Sequence, residues 1–270
     1  MTRSLGIFSL SIAVCALAGL LHIPAVFAEE ADRFAQWQQQ RDEVLRDPDL
    51  VAYYDFQEGG GDVLHNKAGI NPELHGKIRG ATWAEGRWPG KKALLFDGKS
   101  SHVEIPHSSS LILLDKAKGG RGEVSVVVSF MPLTVNECGI VDKQSTGWGK
   151  EAPYGIWISP KAAFAVTADG ATGQAVRDRT DFVAGNWYHI VFTADEKRLT
   201  LYKNGLLVDQ QRLSLSPYDN GRPLLFGCMV PGKFQFHGLI DEVAIYKRAL
   251  NKGEVVGQSK TKPVVTFYIP

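Results

Sequence analysis

From residue 49 onward apolar and polar residues alternate in short runs, and Gly, Pro, Asn or Asp falls between one run and the next. A period of two puts successive side chains on opposite faces of an extended strand, so each run has one face to bury. The clearest runs are Leu50–Gln57, His102–Ile105, Val124–Met131, Tyr154–Ser159, Trp187–Ala194 and Phe236–Tyr246. Many short strands with turn punctuation predict an antiparallel sandwich or barrel. Leu199–Lys203 and Leu206–Gln211 flank Asn204-Gly205, a pair that accepts the positive φ angles of a two-residue hairpin. After Pro48 the helical period returns only in Ala249–Val256, so residues 49–256 read as one β-domain.

The first 28 residues are of a different kind. Arg3 is followed by an uncharged apolar run from Leu5 to Leu21, then Pro24 and Val26-Phe27-Ala28. This is the pattern of a signal peptide cut between Ala28 and Glu29. His22 and Pro24 end the run short of the roughly 20 residues that span a bilayer, so no stable membrane span is expected once it is removed. The expected destination is outside the cytoplasm: secreted, periplasmic or cell-surface. The chain holds 30 Lys+Arg against 29 Asp+Glu, and the only charge in residues 1–28 is Arg3, so the remainder is formally neutral. Neutrality argues against a nucleic-acid partner, which requires a clustered basic excess.

Between these parts, residues 29–48 are polar and helix-favouring. Phe34, Trp37, Val44 and Leu45 fall at roughly helical spacing, which predicts one short amphipathic helix lying on the domain that follows. Residues 257–270 form a tail. Cys15 leaves with the signal, and the even pair left in an exported chain, Cys138 and Cys228, is expected to form a disulfide.

Four segments in order carry a family resemblance. They are Leu50-Val51-Ala52-Tyr53-Tyr54-Asp55-Phe56, with Asn66 to Gly76 after it; Ala93-Leu94-Leu95-Phe96-Asp97-Gly98, with His102 to Pro106; Gly185-Asn186-Trp187-Tyr188-His189 through the Asn204-Gly205 hairpin; and Gly238 to Leu250. Together they resemble the laminin G-like, concanavalin A-like jelly-roll superfamily of lectin and glucanase domains. The resemblance implies an all-β fold, an antiparallel two-sheet jelly-roll sandwich behind the helix. It also implies a structural Ca²⁺, with Asp55, Asp97 and Asp241 as the candidate ligands. The alternative is that Asp97 caps its own turn and that Asp55 and Asp241 are hydrogen-bonded structural acids. By alternation Asp241 falls on the face of Leu239, Val243 and Ile245, where an acid needs a partner.

Related folds also host glycan hydrolases, which carry acids as Glu-x-Asp-x-x-Glu on one strand so that both flank the scissile bond. The chain has no such sextet, and by strict alternation the adjacent Asp241 and Glu242 point to opposite faces. Asp178 and Asp181, among Arg177 and Arg179, read as a solvated loop. No Gly-x-Ser-x-Gly, His-Glu-x-x-His or Cys-x-x-Cys occurs. His189 reads as a structural residue, and His102 and His107 beside Glu104 as a strand edge.

Sugars stack on aromatic faces rimmed by hydrogen-bonding groups. This makes Trp148 in Gly147-Trp148-Gly149, Trp157 opposite Ile156 and Ile158, Tyr218 beside Asp219 and Asn220, and Arg177 the candidate ligand contacts. Trp83 and Trp88 read as loop plugs. The expected function is a non-catalytic module binding carbohydrate or an extracellular or envelope protein. The alternatives are a glycan hydrolase or lyase, and a structural or assembly domain whose helix and tail dock a partner.

Overall fold

The computed structural model describes residues 23–143 and 150–259. Helix α1 (Ile23–Val44) leads into β1 (Leu50–Tyr54), β2 (Val63–Leu64), β3 (Gly76–Arg79), β4 (Thr82–Glu85), β5 (Lys92–Asp97), β6 (His102–Ile105) and β7 (Val124–Pro132). Then come β8 (Cys138–Asp142), β9 (Gly155–Ser159), β10 (Ala162–Ala168), β11 (Gly173–Asp178), β12 (Tyr188–Ala194) and β13 (Arg198–Lys203). The last described elements are β14 (Leu206–Arg212), β15 (Leu224–Phe226), β16 (Cys228–Val230), β17 (Lys233–Gln235), β18 (His237–Tyr246) and α2 (Lys252–Gln258). No helix among the described residues is long and apolar enough to cross a membrane.

Two antiparallel sheets form the sandwich. One runs β14-β13-β12-β7-β18-β5-β4, with β1 also paired to β18; the other runs β11-β10-β9-β8-β15-β6-β3-β2, and β16 and β17 make a separate ribbon. Alternation decides which side chains meet between them. Val126, Val128 and Phe130 of β7 and Ile190 and Phe192 of β12 face Ile156 and Ile158 of β9 and Phe226 of β15 in the main core. The Asn204-Gly205 turn has both φ angles positive, 52° and 78°, and sets Lys203 opposite Leu206, as a two-residue hairpin requires.

The outer faces differ. On the first sheet Val127, Val191, Ala244 and Tyr246 pack with Val44 of α1 and Val255 of α2, so β7 is buried along its whole length. On the second sheet the outer face carries Trp157 and Val166, with Met229 of the β16–β17 ribbon, Phe164 and Ala175 packed against them.

Three sequence expectations change here. Among the described residues helix α1 spans Ile23–Val44, and Phe34, Trp37 and Val44 share its docked face, whereas Leu45, expected in the same stripe, is exposed. The ladder between β18 and β7 pairs Ile240 with Phe130 and then Glu242 with Ser129, leaving Asp241 as a bulged extra residue. The bulge resets the phase: Ile240, Val243 and Ile245 enter the main core, whereas Leu239 packs outside with Ala93 and Met131. The Cys138–Cys228 disulfide is not formed; both are buried free thiols. Cys138 points into the main core, while Cys228 opens the β16–β17 ribbon opposite Gln235. Burial pushes the Cys228 thiol up to about 12, which keeps it unreactive.

Candidate functional site

Because Ile156 and Ile158 are committed to the core, Trp157 between them must face outward. Strand pairing then builds a row across β9, β10 and β11: Trp157 lies opposite Phe164, and Phe164 opposite Arg177. The Arg177 guanidinium sits over the Phe164 ring at 5.1 Å. One pair further along, Val166 faces Ala175, and this short side chain leaves a groove beside the taller row. The cleft has a volume of about 290 Å³ and is rimmed by Glu137, Lys150, Gln174 and Arg177 around Trp157 and Phe164, near the lower end of the roughly 300–1,000 Å³ usual for ligand pockets.

Trp157 is not a free platform. It is 6 % exposed, and its indole N–H donates to the Asp142 carboxylate, which fixes the ring. Phe164 is half-buried and Arg177 exposed. Gln174 is already engaged: its amide donates to the Arg212 carbonyl at 2.5 Å, and its oxygen accepts from the Ser214 N–H at 2.9 Å. The structure therefore brings together Trp157 and Arg177. Tyr218 lies at the β10–β11 turn instead, its N–H bonded to the Ala168 carbonyl at 3.2 Å and its ring against Gly170. Trp148 lies outside the described residues. Phe164, Glu137 and Lys150 were missed from sequence, although the alternation in Ala162–Ala168 was the signal that could have found Phe164.

The candidate calcium acids do not converge. Asp97 spends one oxygen on the N–H groups of Lys99, Ser100 and Ser101, at 2.8–3.0 Å, and these bonds outweigh burial to hold its carboxyl far below the usual range. Asp241 and Glu242 both turn toward Arg87, with Arg87 Nε 2.8 Å from Asp241 and its terminal nitrogen against Glu242. The bulge makes this possible and corrects the opposite-face expectation. The Lys91 ammonium donates to the carbonyls of Asp55 and Asp241, at the meeting of β1 and β18. It is delivered there by a Trp88-Pro89-Gly90-Lys91 turn closed by a 2.9 Å bond, in which Gly90 takes a φ of 86°. Arg87 thus holds the Asp241 carboxylate and backbone N–H groups hold that of Asp97, and among the described residues no group of three or more His, Cys, Asp or Glu is placed to hold a metal. The residues do not fit a calcium site.

Glu242 also receives the Tyr53 hydroxyl at 2.6 Å and the Trp37 indole N–H at 3.0 Å. Burial works to raise its carboxyl, but Arg87 and Lys91 outweigh it and hold it at about 2. Asp178, expected in a solvated loop, is instead buried and paired to Lys203 at 2.7 Å.

A second charged cluster ties the ends of loops beside β8. Lys143 is fully buried, 3.2 Å from Asp219 and 3.1 Å from His107 Nδ1. An ammonium can only donate, so Nδ1 must accept and the imidazole must be neutral. Burial and the facing Lys143 lower the His107 pKa, Asp219 works to raise it, and Lys118 adds to the lowering. With the folded value below the unfolded 6.5, the stabilisation is complete above about pH 6.5 and is lost as pH falls through the folded value. The melting temperature should drop between roughly pH 7.5 and 5.5, and His107→Gln should reduce that drop; an unchanged drop would remove His107 as its cause.

Residues 97–256 match a laminin G-type family model described as the concanavalin A-like lectin/glucanases superfamily. No curated protein sequence matches the chain. Among solved structures, the binding domain of Paraclostridial Mosquitocidal Protein 1 superposes with a TM-score of 0.64 at 17 % identity, over 79 % of this chain and 52 % of that one. Domain 4 of AbnA, an extracellular arabinanase from Geobacillus stearothermophilus, in complex with arabinotriose, gives 0.59 at 19 % identity over 78 % and 98 %. The ligand binding domain of botulinum neurotoxin serotype D, in complex with N-acetylneuraminic acid, gives 0.57 at 12 % identity over 78 % and 50 %. The chain thus spans about half the length of the two toxin structures.

Proposed function

The chain belongs to the concanavalin A-like lectin/glucanases superfamily, and from that premise we propose that it is a carbohydrate-binding module whose site is the cleft on the outer face of the second sheet. The observation that carries the reading is the cross-strand row Trp157–Phe164–Arg177 beside the groove left by Ala175. An apolar floor with a few polar groups at the rim suits a sugar ring, whose C–H face packs on side chains while its hydroxyls meet Glu137, Lys150 and Arg177. The arabinotriose complex of the arabinanase domain and the N-acetylneuraminic acid complex of the neurotoxin domain support a sugar as the ligand class.

A non-catalytic role is supported by the acids. Hydrolysis at a glycosidic bond uses two carboxyl groups roughly 5–9.5 Å apart on either side of the substrate. Among the described residues the cleft is lined by one carboxylate, Glu137, and the adjacent pair Asp241–Glu242 is sealed beneath Arg87. The apolar run after Arg3 supports action outside the cytoplasm.

Titration against panels of neutral and acidic oligosaccharides, followed by Trp fluorescence, tests the site. Phe164→Ala should weaken binding roughly tenfold or more while leaving the fold intact, because a half-buried ring at the centre of the contact is a hot-spot position. Glycan binding that is indifferent to Phe164→Ala would place the site elsewhere.

A further inference from the structure

The charges of the cleft are unspent. Elsewhere the enclosed cations are paired: Arg87 with Asp241 and Glu242, Lys143 with Asp219, Lys203 with Asp178, Arg248 with Asp47 and Glu254. Arg177 is exposed and stands on the rim of the cleft. Its backbone N–H bonds Asp209 at 2.8 Å, but its guanidinium has no hydrogen-bonding or acidic partner among the described residues. Lys150, on the same rim, likewise has an unpaired ammonium among the described residues.

The planar Arg177 guanidinium lies over the Phe164 ring, its carbon 5.1 Å from the ring centroid. A plate in that position keeps its in-plane N–H groups available, and paired in-plane donors match the two oxygens of a carboxylate better than they match a hydroxyl. Glu137, the one acid lining the cleft among the described residues, limits the ligand charge. With Asp209 also against the Arg177 backbone, the two cations stand in no large positive field, which suits a single carboxylate and disfavours a densely sulfated chain.

Building on the carbohydrate reading, we infer that the cleft recognises a uronic-acid-containing glycan, with the sugar carboxylate held by the Arg177 guanidinium and supported by Lys150. The ring then lies along the groove beside Val166 and Ala175.

The test is calorimetric titration of the full chain with oligogalacturonate, oligomannuronate and oligoglucuronate, each beside its methyl ester, and with a neutral and a sulfated oligosaccharide. At least one uronate should bind on the order of tenfold or more tighter than its ester, since a charge-assisted bidentate pair is lost in the ester. Arg177→Ala should erase that ratio, Arg177→Lys should restore only part of it, and Ala175→Phe, which fills the groove, should abolish binding altogether. Esters or neutral sugars that bind as tightly as the acids, with both lost in Ala175→Phe, would overturn the uronate assignment while the carbohydrate reading stands. Preference for the sulfated chain would overturn the carboxylate specifically. Absence of binding to every glycan would overturn the inference and the reading beneath it.

Discussion

Replacing Arg87 by methionine should lower the unfolding free energy by about 3–5 kcal/mol, the cost of leaving buried charge without its partner. Asp241 has no exposed surface and the side chain of Glu242 is 14 % exposed, so neither can turn to water when the guanidinium is removed. Methionine approximates the length of the arginine stem, so the loss is mainly electrostatic. The sign with pH follows from Glu242, whose carboxyl is held at about 2 in the folded protein. A depressed carboxyl stabilises the fold above its unfolded value near 4.5 and loses that contribution as pH falls through the folded value. Without Arg87 this contribution shrinks, so wild type and variant should differ more near neutral pH than near pH 3, roughly. Glu242→Gln should cost less than Arg87→Met, because the amide oxygen still accepts from Tyr53 and Trp37. Urea midpoints for the three proteins decide the matter, and a loss below about 1 kcal/mol for Arg87→Met would show that water reaches the acids.

The same bulge shows where sequence reasoning stopped. Alternation placed Trp157 opposite Ile156 and Ile158 correctly, and Asn204-Gly205 announced its hairpin, because both are properties of neighbouring residues. Asp241 was assigned to the wrong face because one inserted residue shifts the phase of a strand, and the shift is imposed by pairing with Ser129 and Phe130 more than a hundred positions away. Arg87 was not visible as its partner for the same reason. The two are 154 residues apart and meet only when β18 lies beside β5 and β7. The cleft was half legible: Trp157 and Arg177 could be named, but their convergence depends on the register that sets each against Phe164.

The two outer faces of the sandwich divide the labour. The second sheet leaves a groove open, whereas the first is closed by α1 and α2, and α1 is attached chiefly through one ring. Trp37 has no exposed surface, lies 4.5 Å from the Lys91 ammonium, stacks on Phe34 at 5.4 Å and donates to Glu242. Trp37→Ala should therefore cost about 3–5 kcal/mol, the range for emptying a large aromatic site. It should also release α1 while the sandwich survives, because the main core contains no residue of the helix. Hydrogen exchange would then show loss of protection confined to α1, with β7 and β12 still protected. Trp37→Phe separates the contributions: it keeps a ring beside Lys91 and removes only the indole donor, so it should lose about 1–3 kcal/mol. A double-mutant cycle with Glu242→Gln measures what the Trp37–Glu242 bond adds. Global loss of protection in Trp37→Ala would mean that the helix is integral to the fold; confined loss would make α1 a separable arm, held to the domain by the Trp37 contacts with Lys91 and Glu242.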